Sequence, residues 1–240
     1  MSREDAIPID PRPVNLHDWE APARRALGDG AFGYVAGGGG DEVTLRDNRA
    51  AFRRWRIVPR VLRPGSGSSI ATTILGRAAE VPIMVAPFAY QGVLSAEGEC
   101  DTARAAAAVG ATMCVSTLAS RSLEDIAAAG GDGDRIFQLY VQKDDGVNAE
   151  MLARARDAGY RAVIITVDLP PFGSRDRDAR SGFSIPDDLA LPNIPPPPDH
   201  GRALTPNDTC LLMNADMGWP DVERIIADAG VPAVIKGILA

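Results

Sequence analysis

Nowhere in this chain of 240 residues is there an apolar run of about 18 residues free of charge, the length a helix needs to cross a bilayer. The opening stretch, MSREDAIPIDPRP, lacks the apolar core of a secretory signal. A protein kept in the cytoplasm is therefore expected, with no membrane partner. Cysteine is scarce as well: Cys100, Cys114 and Cys210 form no CxxC pair and no ligand spacing. Neither a disulfide framework nor a metal site is expected from them. A cationic excess is also missing, since 25 Lys and Arg stand against 32 Asp and Glu for a net charge of -7. Nucleic acid is excluded as a partner on that ground, because it calls for a cationic face; a local cationic pocket for an anionic substrate stays compatible with the total.

What is present is globular: 45% of residues are hydrophobic and 24% charged, enough to bury a substantial core. Residues 1–14 read as a proline-punctuated arm and 15–240 as one domain. From Leu16 to about Phe52 the pattern is helical, in three pieces parted by Gly28-Asp29-Gly30 and by Gly37 to Gly40, with Asp41 placed to cap the third. Residues 56–75 read as extended segments with glycine and serine turns, ending at Thr72-Thr73-Ile74-Leu75-Gly76.

The rhythm then becomes strand, loop, helix, repeated. Apolar strand candidates are 81–87, 111–117, 135–141, 162–168 and 231–237, and helix candidates 97–109, 122–129, 147–158 and 220–229 lie between them. Alternating units of this kind make a parallel sheet with right-handed crossovers. Polar residues gather at the C-terminal ends of the strands: Ser116 and Thr117, Gln138 and Tyr140, Thr166 and Asp168, and Lys236. A parallel α/β barrel builds its active site on that edge. The connection 169–218 is far longer than the usual loop of about 2 to 6 residues. It carries Ile194-Pro195-Pro196-Pro197-Pro198 and reads equally as a proline-rich excursion or as an active-site lid. Five strands are fewer than the eight of a closed barrel, so the pattern predicts either an incomplete barrel or an open doubly wound sheet.

Taken singly, the polar residues have ordinary explanations. Tyr34 in a helical stretch reads as a packed aromatic, and Gln138 with Tyr140, like Thr166 with Asp168, shares one face of a strand by period two. Arg175 sits in the run Arg175-Asp176-Arg177-Asp178-Ala179-Arg180, for which a solvated, self-paired face is the default. Lys236 resists such a reading, because an ammonium closing an apolar strand is costly to bury without a partner.

Six segments taken in order say more than any one of them. Tyr34-Val35-Ala36-Gly37-Gly38, Thr72-Thr73-Ile74-Leu75-Gly76, Pro82-Ile83-Met84-Val85-Ala86-Pro87, Phe137-Gln138-Leu139-Tyr140, Thr166-Val167-Asp168 and Ile235-Lys236-Gly237 resemble, in order and spacing, the FMN-dependent 2-hydroxy-acid oxidases and dehydrogenases, which include glycolate oxidase, lactate oxidase and mandelate dehydrogenase. The resemblance runs from about residue 15 to the last residue. It implies an α/β fold, the (β/α)8 TIM barrel with a helical prelude, of which about the first five βα units are present here. It also implies an enzyme that oxidises an (S)-2-hydroxy acid to the 2-oxo acid, passing two electrons to FMN and on to oxygen or another acceptor.

The resemblance assigns roles one position at a time. Ala86, Pro87, Phe88 and Ala89 would lie along the isoalloxazine ring, Ser116 would contact it, and Gln138 and Thr166 would hydrogen-bond its pyrimidine edge. Lys236 would stand near N1 and the C2 carbonyl, where a fixed cation stabilises the charge gained on reduction. Tyr34 and Arg175 would hold the substrate carboxylate, for which the planar guanidinium fork is suited. Tyr140 would sit near the substrate hydroxyl or carboxylate, and Asp168 would orient a catalytic histidine. Where glycolate oxidase-like members carry a tryptophan this chain has Leu118, and Phe88 and Tyr90 flank Ala89, which leaves room for an aryl substrate.

The base of the family is a histidine in a His-Gly-Gly-Arg-type motif, whereas the two histidines here, His17 and His200, lie in other contexts. Neither is assigned a catalytic role. The expectation is thus the N-terminal part of a complete oxidase, inactive alone. Alternatives are a subunit of a split enzyme, completed by a C-terminal chain, and a non-catalytic remnant or interaction protein; a homo-oligomer is the other expected association.

Overall fold

The computed structural model describes residues 13–169, 173–196 and 205–238. The chain forms two compact units, one of residues 1–49 with 175–183, the other of 50–174 with 184–240. In chain order the elements are α1 (Glu20–Ala36), α2 (Val43–Ala51), β1 (Thr72–Ile74), β2 (Arg77–Ala79), β3 (Met84–Val85), α3 (Glu99–Ala108), β4 (Thr112–Ser116), α4 (Leu123–Gly130), β5 (Arg135–Leu139), α5 (Asp145–Asp157), β6 (Val163–Thr166), α6 (Asp176–Ser181), α7 (Pro206–Cys210), α8 (Trp219–Ala229) and β7 (Ala233–Lys236).

The helical prelude lies in the first unit. Gly28, at φ 70° and ψ 169°, kinks α1 where the sequence predicts a break, a conformation that favours glycine. The start of α2 differs from expectation: the helix begins at Val43, so Glu42 rather than Asp41 precedes it. Glu42 adopts φ 59°, and its carboxylate accepts from Gly38 N at 3.2 Å, bracing the glycine run.

In the second unit β1 and β2 form an antiparallel hairpin turned by Leu75 and Gly76, at φ 48° and 78°. Positive φ at both central residues matches the twist of a tight hairpin. The remaining strands make one parallel sheet in the order β3-β4-β5-β6-β7. Each crossover adds its strand on the same side, which is how a barrel wall grows; a doubly wound sheet reverses order at a switch point. The open-sheet alternative is thereby set aside: these are five consecutive units of a (β/α)8 barrel.

Strand and helix limits follow local chemistry. Ser122 caps α4 by accepting from Asp125 N at 3.0 Å, and Asp144 caps α5 by accepting from Gly146 N at 2.8 Å. On one face of the sheet Cys114, Ile136, Ala162 and Ile164 form an apolar cluster, with Met84 and Val234 against it. Val115, Phe137, Leu139, Val163 and Ile165, alternating with these, are buried on the other face.

The long connection is fastened where it is described. Its portion 175–183 belongs to the first unit. In the second, Asn193 accepts from Leu123 N at 3.1 Å and donates to Arg121 O at 2.8 Å, while Ile185 and Ile194 are buried. Further on, Asn214 N donates to Val141 O at 2.8 Å. His200 and the last two prolines of the run, Pro197 and Pro198, lie outside the described residues.

Candidate functional site

Strand register brings four predicted residues onto one face as two level pairs, the second stepped two residues further along because Gln138 lies level with Ile164; together they form a stepped row. Ser116 is paired with Gln138 across β4 and β5, Gln138 with Ile164, and Thr166 with Lys236 across β6 and β7. Side chains two apart share a face, so Ser116, Gln138, Thr166 and Lys236 line the face of the apolar cluster, one step nearer the C-terminal ends. Apolar below and polar above, the face changes character where ligand chemistry would begin. Ser116, Gln138 and Thr166 are buried. They are also occupied: Gln138 Nε2 donates to Thr166 Oγ1 at 3.0 Å, and Ser116 Oγ accepts from Leu118 N at 3.1 Å.

One residue further, Thr117 staples the ends of β4 and β5. Its hydroxyl donates to Gln138 O at 2.7 Å and accepts from Tyr140 N at 2.8 Å. Burial, reinforced by Cys210 and Asp168, pushes the Tyr140 phenol up to about 12. At neutral pH it is a neutral hydrogen-bond donor.

Lys236 meets Asp168 rather than standing alone: Nζ lies 3.1 Å and 3.4 Å from the two carboxylate oxygens. Main chain joins the same strand ends, with Val167 N donating to Lys236 O at 2.9 Å. Gly237 has two reasons to be glycine: its φ is 114°, and a Cβ would lie 2.5 Å from Asp168 Cβ.

Pro87, Phe88 and Ala89 follow β3 and are half-buried. The turn after them is held by Glu99, a fully buried carboxylate that sequence reasoning overlooks. Glu99 Oε1 accepts from Gln91 N at 3.0 Å and from Ser120 N at 3.1 Å, and Oε2 accepts from Ser120 Oγ at 2.6 Å. The loop after β3 is thereby tied to the loop after β4. The signal available in sequence was a cluster of acids, Glu97, Glu99 and Asp101, opening an alanine-rich helix, with nothing local to single out Glu99. Tyr90 is 1% exposed, and its hydroxyl meets Thr209 Oγ1 at 2.8 Å. Since Thr209 donates its one proton to Pro206 O, Tyr90 is the donor. Leu118 too is buried, so both are packed groups rather than open walls.

The other two predicted residues stand in the first unit and touch each other. Arg175 Cζ lies 5.1 Å from the Tyr34 ring centroid, and Arg175 Nη2 donates to Tyr34 O. Tyr34 stacks on Phe183 at 4.9 Å on its own account, and Arg175 Nε donates to Asp178 at 2.7 Å. Arg177 instead pairs with Glu42 at 2.6 Å and Arg180 with Asp176 at 2.9 Å. Of that charge run it is Arg175 whose guanidinium lies over the tyrosine ring. His17, also in this unit, accepts from Arg49 at Nε2 at 2.9 Å.

An apolar cavity of about 250 Å³ is lined by Val167, Met217, Gly218, Trp219, Val222, Ile235 and Ile238. Val167 and Ile235 alternate with Thr166 and Lys236, so it opens on the opposite face and is separate from the row. Among the described residues no cluster of three His, Cys, Asp or Glu could hold a metal ion, and no helix is long and apolar enough to cross a membrane.

A wall of parallel strands in sequential order, with a polar row and one cation at the carboxyl ends, defines a β/α-barrel enzyme class of protein. The family model of FMN-dependent dehydrogenases matches residues 23–240. L-lactate oxidase of Nostoc sp. is 38% identical over 236 residues, covering 95% of this chain and 65% of its own length. Glycolate oxidase of Spinacia oleracea is 38% identical, covering 94% of this chain and 62% of its own length. A crystal structure of mandelate oxidase superposes with a TM-score of 0.84 at 38% identity, over 95% of this chain and 64% of that one. The chain belongs to the FMN-dependent dehydrogenase family, and it spans somewhat under two thirds of the length of these relatives.

Proposed function

We propose that the row Ser116, Gln138, Thr166 and Lys236 receives the polar edge of FMN, and that the whole protein oxidises a small (S)-2-hydroxy acid to the 2-oxo acid. The observation that carries this reading is the register placing those four groups on one face at the carboxyl ends. The donor set fits the cofactor: two hydroxyls and an amide can each donate or accept, as a flat heteroaromatic edge requires, and the ammonium suits a ring that gains negative charge.

Bound FMN would supply the acceptor for the two electrons that leave the substrate. This chain's own groups do the rest. Pro87, Phe88 and Ala89, with Glu99 behind their turn, offer main-chain groups beside the row. Lys236 holds a positive charge at its end. Tyr140, protonated, donates a hydrogen bond to the substrate hydroxyl or carboxylate, and Arg175 with Tyr34 binds the carboxylate. Asp168 orients the histidine that removes the substrate proton. The three relatives are named oxidases, which supports oxygen as the electron acceptor.

The test is titration of the purified protein with FMN, read by quenching of flavin fluorescence. Lys236→Met is expected to weaken binding and to lower the potential of the bound flavin. Equal affinity and equal potential in the variant would remove the row's assignment. A second reading, one subunit of an enzyme completed by another polypeptide, is favoured by the half-buried β7 and by Trp219 and Ile238, which are exposed beside it. Flavin binding only after addition of such a partner is its expected signature.

A further inference from the structure

Lys143 and Lys236 are the only lysines among the 25 basic residues of the chain. Every other cation is an arginine, whose guanidinium spreads its charge over a plane, whereas an ammonium concentrates it at one atom on a flexible stem. A compact charge kept at the end of the polar row, in so arginine-rich a chain, needs something to hold it in place. Three features do so at Lys236. Its Nζ is 3.1 Å from Asp168 Oδ1 and 3.4 Å from Oδ2. Its carbonyl accepts from Val167 N at 2.9 Å, so the strand ends that carry the two charges are joined. Gly237, lacking a Cβ, lets the Asp168 backbone and side chain approach to a distance that any other residue would block.

We infer that Asp168 is a positioning residue for Lys236, the counter-ion that keeps the ammonium at the end of the row, in addition to any part it plays toward a histidine. This rests on reading the row as the flavin site. Both side chains are partly exposed, at 42% and 44%, so the pair orders the lysine rather than contributing much stability. Without the carboxylate the four-carbon stem is free to sweep through solvent, and the charge no longer has a fixed address.

Two lysines make this directly measurable. Labelling with lysine enriched at Cε gives two side-chain signals, with exposed Lys143 as the internal reference. In the unaltered protein the Lys236 signal is expected to be shifted from that of Lys143 and to relax as a restrained group. Asp168→Asn should move it toward the Lys143 position, and Asp168→Glu should retain most of the shift. A Lys236 signal that Asp168→Asn leaves in place overturns the inference. If that variant does not fold, relaxation in the unaltered protein decides, and a Lys236 Cε as mobile as that of Lys143 overturns it too. Addition of FMN is the separate arm: the Lys236 signal should move, and Asp168→Asn should weaken FMN binding by up to about fivefold. An absence of any FMN effect counts against the flavin reading alone, because the flavin-free spectra have already judged the pair.

Discussion

Tyr140 illustrates how the site sets its chemistry at the scale of one side chain. Half-buried just after β5, the phenol holds its proton far above the ordinary tyrosine range, to about 12. The unfolded chain releases that proton near pH 10 and the folded one not until about pH 12, so the group's favourable share of stability is intact below pH 10 and is lost as pH rises through that window. An absorbance titration should show late phenolate ionisation, of which Tyr140→Phe removes the step near pH 12 while that of Tyr160, raised further by burial, remains. If all the tyrosine signal has appeared by about pH 10.5, the burial argument fails. At the same scale, Arg175→Lys keeps the charge but gives up the planar fork and its place on the Tyr34 ring. In the whole protein kcat/KM for a 2-hydroxy acid is expected to fall roughly tenfold or more, and an unchanged value would refute the carboxylate role.

At the scale of elements, the row depends on how strand ends are tied together. Thr117 joins β4 to β5, Glu99 joins the loops that follow β3 and β4, and the Lys236–Asp168 pair joins β6 to β7. Glu99→Ala would leave the Gln91 and Ser120 donors buried without their acceptor, a loss of about 3 kcal/mol or more. Denaturant unfolding should show it as a lower midpoint at unchanged slope; a difference under about 0.5 kcal/mol would mean the loops find other partners. Most element positions were legible from hydrophobic period and caps: the predicted helix 122–129 forms at Leu123–Gly130 behind its Ser122 cap. The strand expected at 81–87 forms only at Met84–Val85, where it pairs with Thr112 and Met113 of β4. The start of α2 was misplaced by one residue because Glu42, with its positive φ and its bond to Gly38 N, is set by the glycine run's path and not by capping preference.

At the scale of the molecule the sheet presents two outer strands, β3 and β7, and much apolar surface is uncovered. Ile57 and Leu62 are 96% and 99% exposed. Trp19, Trp55 and Trp219 are each more than half exposed, at 57%, 81% and 64%. Surface of this extent marks a place for polypeptide or for association. The isolated protein is accordingly expected to emit as solvent-exposed tryptophan, to be quenched freely by acrylamide, and to bind a hydrophobic dye. A blue, poorly quenched emission would show that these side chains are already covered in solution.

The amino-acid sequence by itself determined the succession of βα units, the helical prelude, and the polar residues at the strand ends, because period, caps and turn residues are local properties. The face shared by Gln138 and Tyr140, or by Thr166 and Asp168, also followed from period two along a single strand. Only the tertiary structure decided that the strands run in sequential order, that Ser116, Gln138, Thr166 and Lys236 come to one face of four of them, and that Lys236 is held by Asp168 from 68 residues away. It also decided that the guanidinium of Arg175 lies over the Tyr34 ring, and that Glu99 is buried. Register between strands and the approach of segments remote in sequence depend on the packed core as a whole, and no local pattern encodes them.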